Sequence, residues 1–197
     1  ERLRNQLTQV KRLSLADLEI ARPIEMLREP VLGYVMELLT GMQPLNALGA
    51  VPKEESSPAA WYLAGGGLRR RLQLLARSAD ALAALHGKGL VYSDPSPHNI
   101  FVSESPAATE VRFIDADNIH YASVAGMPAV YTPGYGAPEL VRCTSGVNSL
   151  TDAHAFSVLA FQTLSLAHPL IGDAVNDGPP EREEEALAGR LPWIDHP

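Results

Sequence analysis

The sequence predicts an α+β fold, mostly helical with short strands. Across residues 68–85, leucines and alanines return every three or four positions, the period of a helix with one apolar side. Three short apolar runs, Leu90-Val-Tyr, Ile100-Phe-Val and Val111-Arg-Phe-Ile, surround a proline-rich loop and are too brief for helices.

Taken in order, residues 1–12 are charged and helical in composition, with Leu3, Leu7 and Val10 on one face. Pro23 and Pro30 break any helix that follows. Val31 to Leu39 is apolar and bounded by Pro30 and a Gly41–Pro44 turn, which predicts a strand. Residues 49–67, with Gly65-Gly-Gly, read as loop and linker, with a short helix over Ala59–Leu63. Leu68, Leu72, Leu75, Ala79, Leu82 and Leu85 then form the inward stripe of a long helix, leaving Arg69, Arg70, Arg71 and Arg77 mostly outside it. Gly87 and Gly89 end that helix. Residues 116–139 have no sustained period and carry several Gly and Pro, so a long irregular segment is expected, of the kind that is often functional. Thr151 or Ser149 can cap a second buried helix, Asp152 to about Ala167, stopped by His168-Pro169. The run Glu181–Glu185 reads as a solvated helix start.

A chain of 197 residues, 46% hydrophobic, can bury one sizeable core. Its net charge of −7 argues against a nucleic-acid surface, which carries basic patches. The single cysteine, Cys143, cannot form an internal disulfide and reads as a small buried group, so a reducing, cytoplasmic compartment is expected. No run approaches the ~18 apolar residues of a membrane span. The opening Glu1-Arg-Leu-Arg-Asn starts in mid-helix, which predicts a piece of a longer protein.

Asp94 and Asn99 stand in the proline-stiffened loop. A phosphotransferase needs a carboxylate to accept the proton of an attacking hydroxyl, and an oxygen ligand for the metal on the phosphates. Asp94 suits the first role and Asn99 the second; on spacing alone, both could equally cap loop turns. Further on, Phe113-Ile-Asp-Ala-Asp delivers Asp115 and Asp117 from an apolar run, and with Asn99 these make a hard oxygen site suited to Mg²⁺ or Mn²⁺. A plain turn after a strand is the alternative.

Tyr131-Thr-Pro-Gly-Tyr-Gly-Ala-Pro-Glu resembles the end of a protein kinase activation segment, Thr-Pro-x-Tyr-x-Ala-Pro-Glu. Tyr92-Ser-Asp with Asn99 is similar to that family's His-Arg-Asp catalytic loop, and Asp115-Ala-Asp sits where it has Asp-Phe-Gly. Val35-Met-Glu-Leu resembles the hinge, and Asp152 the buried anchor of the catalytic loop. The resemblance covers residues 30–172. It implies a protein-kinase-like fold, with residues 1–40 a remnant of the N-lobe (a regulatory helix and strands up to the hinge) and residues 41–197 the C-lobe. It implies ATP and Mg²⁺ or Mn²⁺ as cofactors, a protein substrate, and a cognate phosphatase as a further partner. Met36 would be the gatekeeper, Glu37, Leu38 and Leu39 would face the adenine edge, and Phe101 and Ile114 would line its pocket. Asn99 and Asp115 would hold the metal, Asp94 would orient the hydroxyl, and Thr132 and Gly134 would shape the substrate site. Thr132 is expected to hydrogen-bond Asp94, and Glu139 to pair with an arginine such as Arg190.

Several positions depart from the family pattern. Ser93 replaces the Arg that grips a phosphorylated activation loop. Ser96 takes the catalytic place of a Lys that steadies the transferred phosphate. Ala116 and Asp117 replace Phe and Gly, Asp117 being chosen as tolerant of left-handed geometry. No Gly-rich loop or strand Lys precedes the hinge, so the N-lobe sheet is expected before Glu1; Glu1, Glu19 and Glu25 are candidates to pair with its Lys. His98 could contact phosphate or pack. Two other functions stay in view: a pseudokinase scaffold, and a small-molecule kinase of the aminoglycoside phosphotransferase type.

Overall fold

A computed structural model describes residues 2–28, 30–123 and 130–194. The chain opens with helix α1 (Arg2–Arg12), whose Leu7 and Val10 are buried. Leu3, on the same expected face, lies outside the side chains described. A hairpin of β1 (Glu25–Met26) and β2 (Tyr34–Val35) follows. Then come β3 (Met42–Pro44), a 3-10 turn (Leu45–Leu48), and helices α2 (Pro58–Ala64) and α3 (Gly67–Gly87). Strands β4 (Leu90–Val91), β5 (Ile100–Ser103) and β6 (Val111–Phe113) bracket the proline-rich loop, and a 3-10 turn (Ala116–Asn118) leads to β7 (His120–Tyr121). The rest is helical: α4 (Pro138–Val141), α5 (Ser149–Ser165), α6 (Asp173–Asn176) and α7 (Glu181–Leu187). The strands pair antiparallel in three small sheets, β1-β2, β3-β5-β6 and β4-β7. This is the mixed helix-and-strand fold the sequence predicts.

The core gathers where α3 and α5 meet the sheets, with Leu74, Leu85, Tyr92, Ile100, Phe113 and Leu159 at its centre. The segment before β1 is pinned to β6: Phe113 donates to the Glu19 carbonyl, Ala21 donates to the Phe113 carbonyl, and Glu19 forms an ion pair with Arg112. Glu19 is therefore engaged within this chain, while Glu1 lies outside the described residues.

Several expectations are corrected. The strand over Val31 to Leu39 shrinks to Tyr34–Val35, because only Glu25–Met26 supplies a ladder partner; Val31, Leu32 and Leu38 are exposed. The expected turn at Gly41–Pro44 is instead β3, which pairs Met42 with Ser103 and Pro44 with Phe101. Proline is tolerated there at the end of an edge strand. The α3 stripe is rotated: Leu68 is 54% and Leu72 49% exposed, while Arg70, Arg71, Leu74 and Ala81 are buried beside Leu75, Leu82 and Leu85.

The two buried arginines have a physical reason. Arg71 donates to the carbonyls of Leu48 and, at 2.8 Å, Thr163, and its guanidinium lies 4.0 Å from the Tyr62 ring centre. Arg70 donates to the carbonyls of Ala108, Gly65 and Ser103. They bind carbonyls of loops and of the ends of the 3-10 turn, β5 and α5, an obligation that leucine could not meet. The glycine triplet belongs to this joint and is not a free linker. Gly66, left-handed at φ +94°, caps α3, and any side chain there would collide with Arg70.

Helix α5 begins one turn earlier than expected. Asn148 is its N-cap, and its side chain and that of Thr151 form a reciprocal capping box. Cys143 is exposed, not buried, because the short α4 ends there in a left-handed turn, φ 54°. No ion pair joins Glu139 to Arg190 among the described residues; the Arg190 amide bonds the Glu185 carbonyl instead. Within the segment expected to be irregular, residues 116–118 and 120–121 are ordered as above, and residues 124–129 lie outside the description.

Candidate active site

The loop from Ser93 to Asn99 is held from below by one buried carboxylate. Asp152, in the first turns of α5 and fully buried, accepts from the Tyr92 amide at 2.8 Å and the Ser93 amide at 2.9 Å. His86, at the end of α3, reaches its Oδ2 at 2.8 Å. Three donors satisfy an anion that would otherwise be costly to bury. Ser93 stands at φ 83°, a conformation rare outside glycine, with its own amide and the preceding one both held by Asp152.

This anchoring presents Asp94. Its carboxylate accepts from the Thr132 amide at 2.7 Å, the Thr132 hydroxyl at 2.9 Å and the Asn99 side-chain amide at 3.0 Å. The Thr132 contact expected from the sequence is therefore present. Asn99 also donates to the Asp94 carbonyl, so its Nδ2 faces Asp94 and its Oδ1 is left to accept or to ligate. The Ile114 amide donates to the Asn99 carbonyl at 2.9 Å, bringing the end of β6 against the loop. Tyr92 bonds the Ile114 carbonyl and packs edge-on against Phe113, 5.1 Å between centres.

Asp115 follows directly, at φ 52° and ψ 46°. The left-handed residue is thus Asp115 itself; Asp117, to which the sequence reading gave that geometry, sits in the 3-10 turn. Partial burial, with Asp117 and Asp94 nearby, pushes the Asp115 carboxyl above the usual range. Asp117 carries a buried Oδ1 with no hydrogen-bond partner. The Tyr34 phenol is raised too, by burial and then by Asp117 and Asp115, which places β2 beside these acids. Mutually repelling carboxylates, an orphan oxygen and a free amide oxygen fit a hard divalent cation. Among the described residues no three His, Cys, Asp or Glu side chains form a metal cluster on their own. The fit is therefore to a cation that takes few protein ligands and fills its shell with phosphate and water, as Mg²⁺ does.

Other sequence-predicted residues are placed less closely. Met36 and Leu39 are half-buried and Glu37 and Leu38 exposed, on the stretch between β2 and β3. That stretch enters β3 at the Ser103 end of β5, and β3 then ends with Pro44 opposite the half-buried Phe101; Ile114 is half-buried too. Ser96 is fully buried and its hydroxyl has no partner, so it does not share the open face of Asp94. His98 is exposed, which removes packing as its role. Ser93 does not reach outward: its hydroxyl donates to the Asn118 carbonyl at 3.1 Å.

Beyond Thr132 the segment is clamped to the C-terminal helices. His168 donates from Nε2 to the Gly134 carbonyl at 2.9 Å, and its Nδ1 accepts from the Leu170 amide at 3.1 Å. Tyr135 bonds Gln162 of α5. A cleft of about 360 Å³ opens between this segment and α7, bordered by Tyr131, Gly134, Val141, Glu183, Glu184 and Leu187. Sequence reasoning missed Glu183 and Glu184 as cleft residues, since a charge run on a short helix reads as solvated surface. It missed Tyr34 because an apolar run gives no sign of what lies opposite it.

Comparison with known proteins gives the same direction. No family model matches the chain. Serine/threonine-protein kinase PknG of Mycobacterium leprae is 39% identical over 142 residues, covering 70% of this chain and 16% of its own length. Serine/threonine-protein kinase pkn2 of Myxococcus xanthus is 32% identical over 133 residues, covering 62% of this chain and 15% of its own. The DNA damage-responsive serine/threonine-protein kinase RqkA of Deinococcus radiodurans is 27% identical over 153 residues, 75% of this chain and 21% of its own. The chain belongs to the protein kinase superfamily. It spans about a fifth or less of the length of these kinases.

Proposed function

We propose that this kinase-family chain is the catalytic-loop half of an ATP-dependent Ser/Thr protein kinase. The observation that carries the reading is the convergence on Asp94: Thr132 and Asn99 fix its carboxylate, and Asp115 stands beside it. Asp94 aims the substrate hydroxyl at the γ-phosphate and takes its proton as the new O–P bond forms and the β,γ-bridging P–O bond breaks, with ADP as the leaving group. Asn99 and Asp115 would hold Mg²⁺, or Mn²⁺, which when bound would draw charge from the phosphates. Thr132 and Gly134 position the substrate backbone. Met36 to Leu39 offer backbone groups to the adenine edge, with Phe101 and Ile114 against its ring. Residues 1–40 belong to the N-lobe.

One observation favours a second reading, a pseudokinase that binds without turnover. The buried Ser96 leaves the family's phosphate-steadying cation unsupplied at that position. The two readings separate in one experiment: radiolabel transfer from ATP with Mg²⁺ or Mn²⁺, using the full-length protein and a generic protein acceptor, beside Asp94→Ala and Asp115→Ala. Label that reaches protein and disappears in both variants establishes the kinase. Nucleotide binding by a folded sample without label on the protein acceptor or on aminoglycosides offered in parallel establishes the pseudokinase, and label found only on those small acceptors points to the aminoglycoside-type alternative.

A further inference from the structure

A second cleft, of about 360 Å³, lies between α1 and β7, away from the groups assigned above to ATP and to the substrate. Its walls are apolar, from Val10 and Leu13 on one side and Ile119 with the ring of Tyr121 on the other. Its polar border is made by Gln6, Gln9, Arg12 and His120, and it includes no carboxylate although the chain carries a net −7. Arg12 is exposed and has no hydrogen-bond or ion-pair partner among the described residues. An apolar slot with one unpaired cation at its border fits a compact apolar body bearing an anionic head.

The cleft also touches both loops of the candidate site. Gln6 donates to the Asp117 carbonyl at 2.7 Å. His120 Nδ1 lies 3.0 Å from the Asn118 carbonyl and 3.3 Å from the Ser93 hydroxyl, next to Asp94 in the chain. A carbonyl can only accept, so Nδ1 carries the proton and the ring orientation is fixed by these contacts. A group entering the cleft meets the same Gln6 and His120 side chains.

We propose that this cleft binds a small amphipathic carboxylate, and that its occupancy reaches the Asp94 and Asp117 loops through His120 and Gln6. The regulatory half rests on the kinase reading; the binding half does not. The test titrates 2-naphthoate, and the uncharged 2-naphthamide as control, into the ¹⁵N-labelled chain while amide resonances are followed by NMR. The acid binds at least tenfold more tightly than the amide, and Arg12→Gln removes that difference. Gln9→Trp, which fills the mouth from an exposed position, weakens both probes at least tenfold while leaving the rest of the spectrum unchanged. Shifts appear at Ser93 and Asn118 as well as along α1. Equal affinity for acid and amide, an unaltered preference in Arg12→Gln, or no saturable binding by the folded chain overturns the binding site. Shifts confined to residues 6–13 and 119–121 overturn the link to the catalytic loop. No phosphate transfer is required for this readout, so its failure is distinct from failure of the kinase reading.

Discussion

At the scale of single residues, three side chains decide whether the site exists. On the proposed kinase reading Asp94 acts in the transition state, so Asp94→Asn is expected to lower kcat by about 10²–10⁴-fold and change ATP affinity little, measured by steady-state kinetics of the full-length protein beside nucleotide titration. Asp152 works one layer beneath. Asp152→Ala strands the amides of Tyr92 and Ser93 together with His86. We expect a loss of about 3 kcal/mol in chemical denaturation. His168 supplies the pH dependence. Burial lowers its pKa below 6.5, against the opposing pulls of the Gly134 carbonyl and Glu183. The fold thus favours neutral imidazole, and this contribution is complete above 6.5. It falls away as pH drops from 6.5 through the lowered folded value, because the unfolded chain then binds more protons. His154 is lowered as well, chiefly by burial, and adds to the same slope. His168→Gln, which keeps an amide donor but cannot titrate, flattens the fall in melting temperature below pH 6.5 without removing it. An unchanged slope contradicts the assignment.

At the scale of elements, the sequence was most legible where a motif is local and least legible where a partner is distant. Asp94 and Asn99 stand five positions apart, Asp115 and Thr132 each sit in a short local motif farther on, and the structure brings these four together. The helices over α3 and α5 were readable from their periods. The face that α3 buries was not, because Arg70 and Arg71 answer carbonyls contributed from Leu48, Gly65, Ser103, Ala108 and Thr163. No pattern within α3 encodes those acceptors. The same reasoning covers β3, whose Met42–Pro44 becomes a strand only because β5 lies alongside. Cys143 looked like a small core group, yet the turn ending α4 leaves it outside. For α3 the expectation is specific: Arg71→Lys keeps the charge but loses the planar fork and the stacking on Tyr62. It therefore lowers stability by about 1–3 kcal/mol, read as a shift in urea midpoint.

At the scale of the whole molecule, cohesion is uneven. The core joins α3, α5 and the β3-β5-β6 sheet, whereas the β1-β2 hairpin pairs only two residues on each side. It exposes Ile24, Leu27, Val31, Leu32, Val35 and Leu38. A two-stranded ribbon is marginal in water without a surface to pack on. Brief trypsin treatment of this chain should therefore cut first after the exposed Arg28, with the fragment beginning near β3 persisting; mass spectrometry of the early products decides it. Early cuts within α3 would show that the hairpin is better supported than its exposure implies. No described helix is long and apolar enough to cross a membrane.

The Asp152 tether also has a kinetic side. Because one carboxylate in the core holds two consecutive amides of the catalytic loop, neither amide can meet solvent unless α5 moves or the bond breaks. Loop amides usually exchange with deuterium by small local openings. Those of Tyr92 and Ser93 are instead expected to exchange as slowly as the middle of α5, on the clock of the whole fold. The loop to which the proposed function gives the chemistry would then be among the last parts of the chain to open.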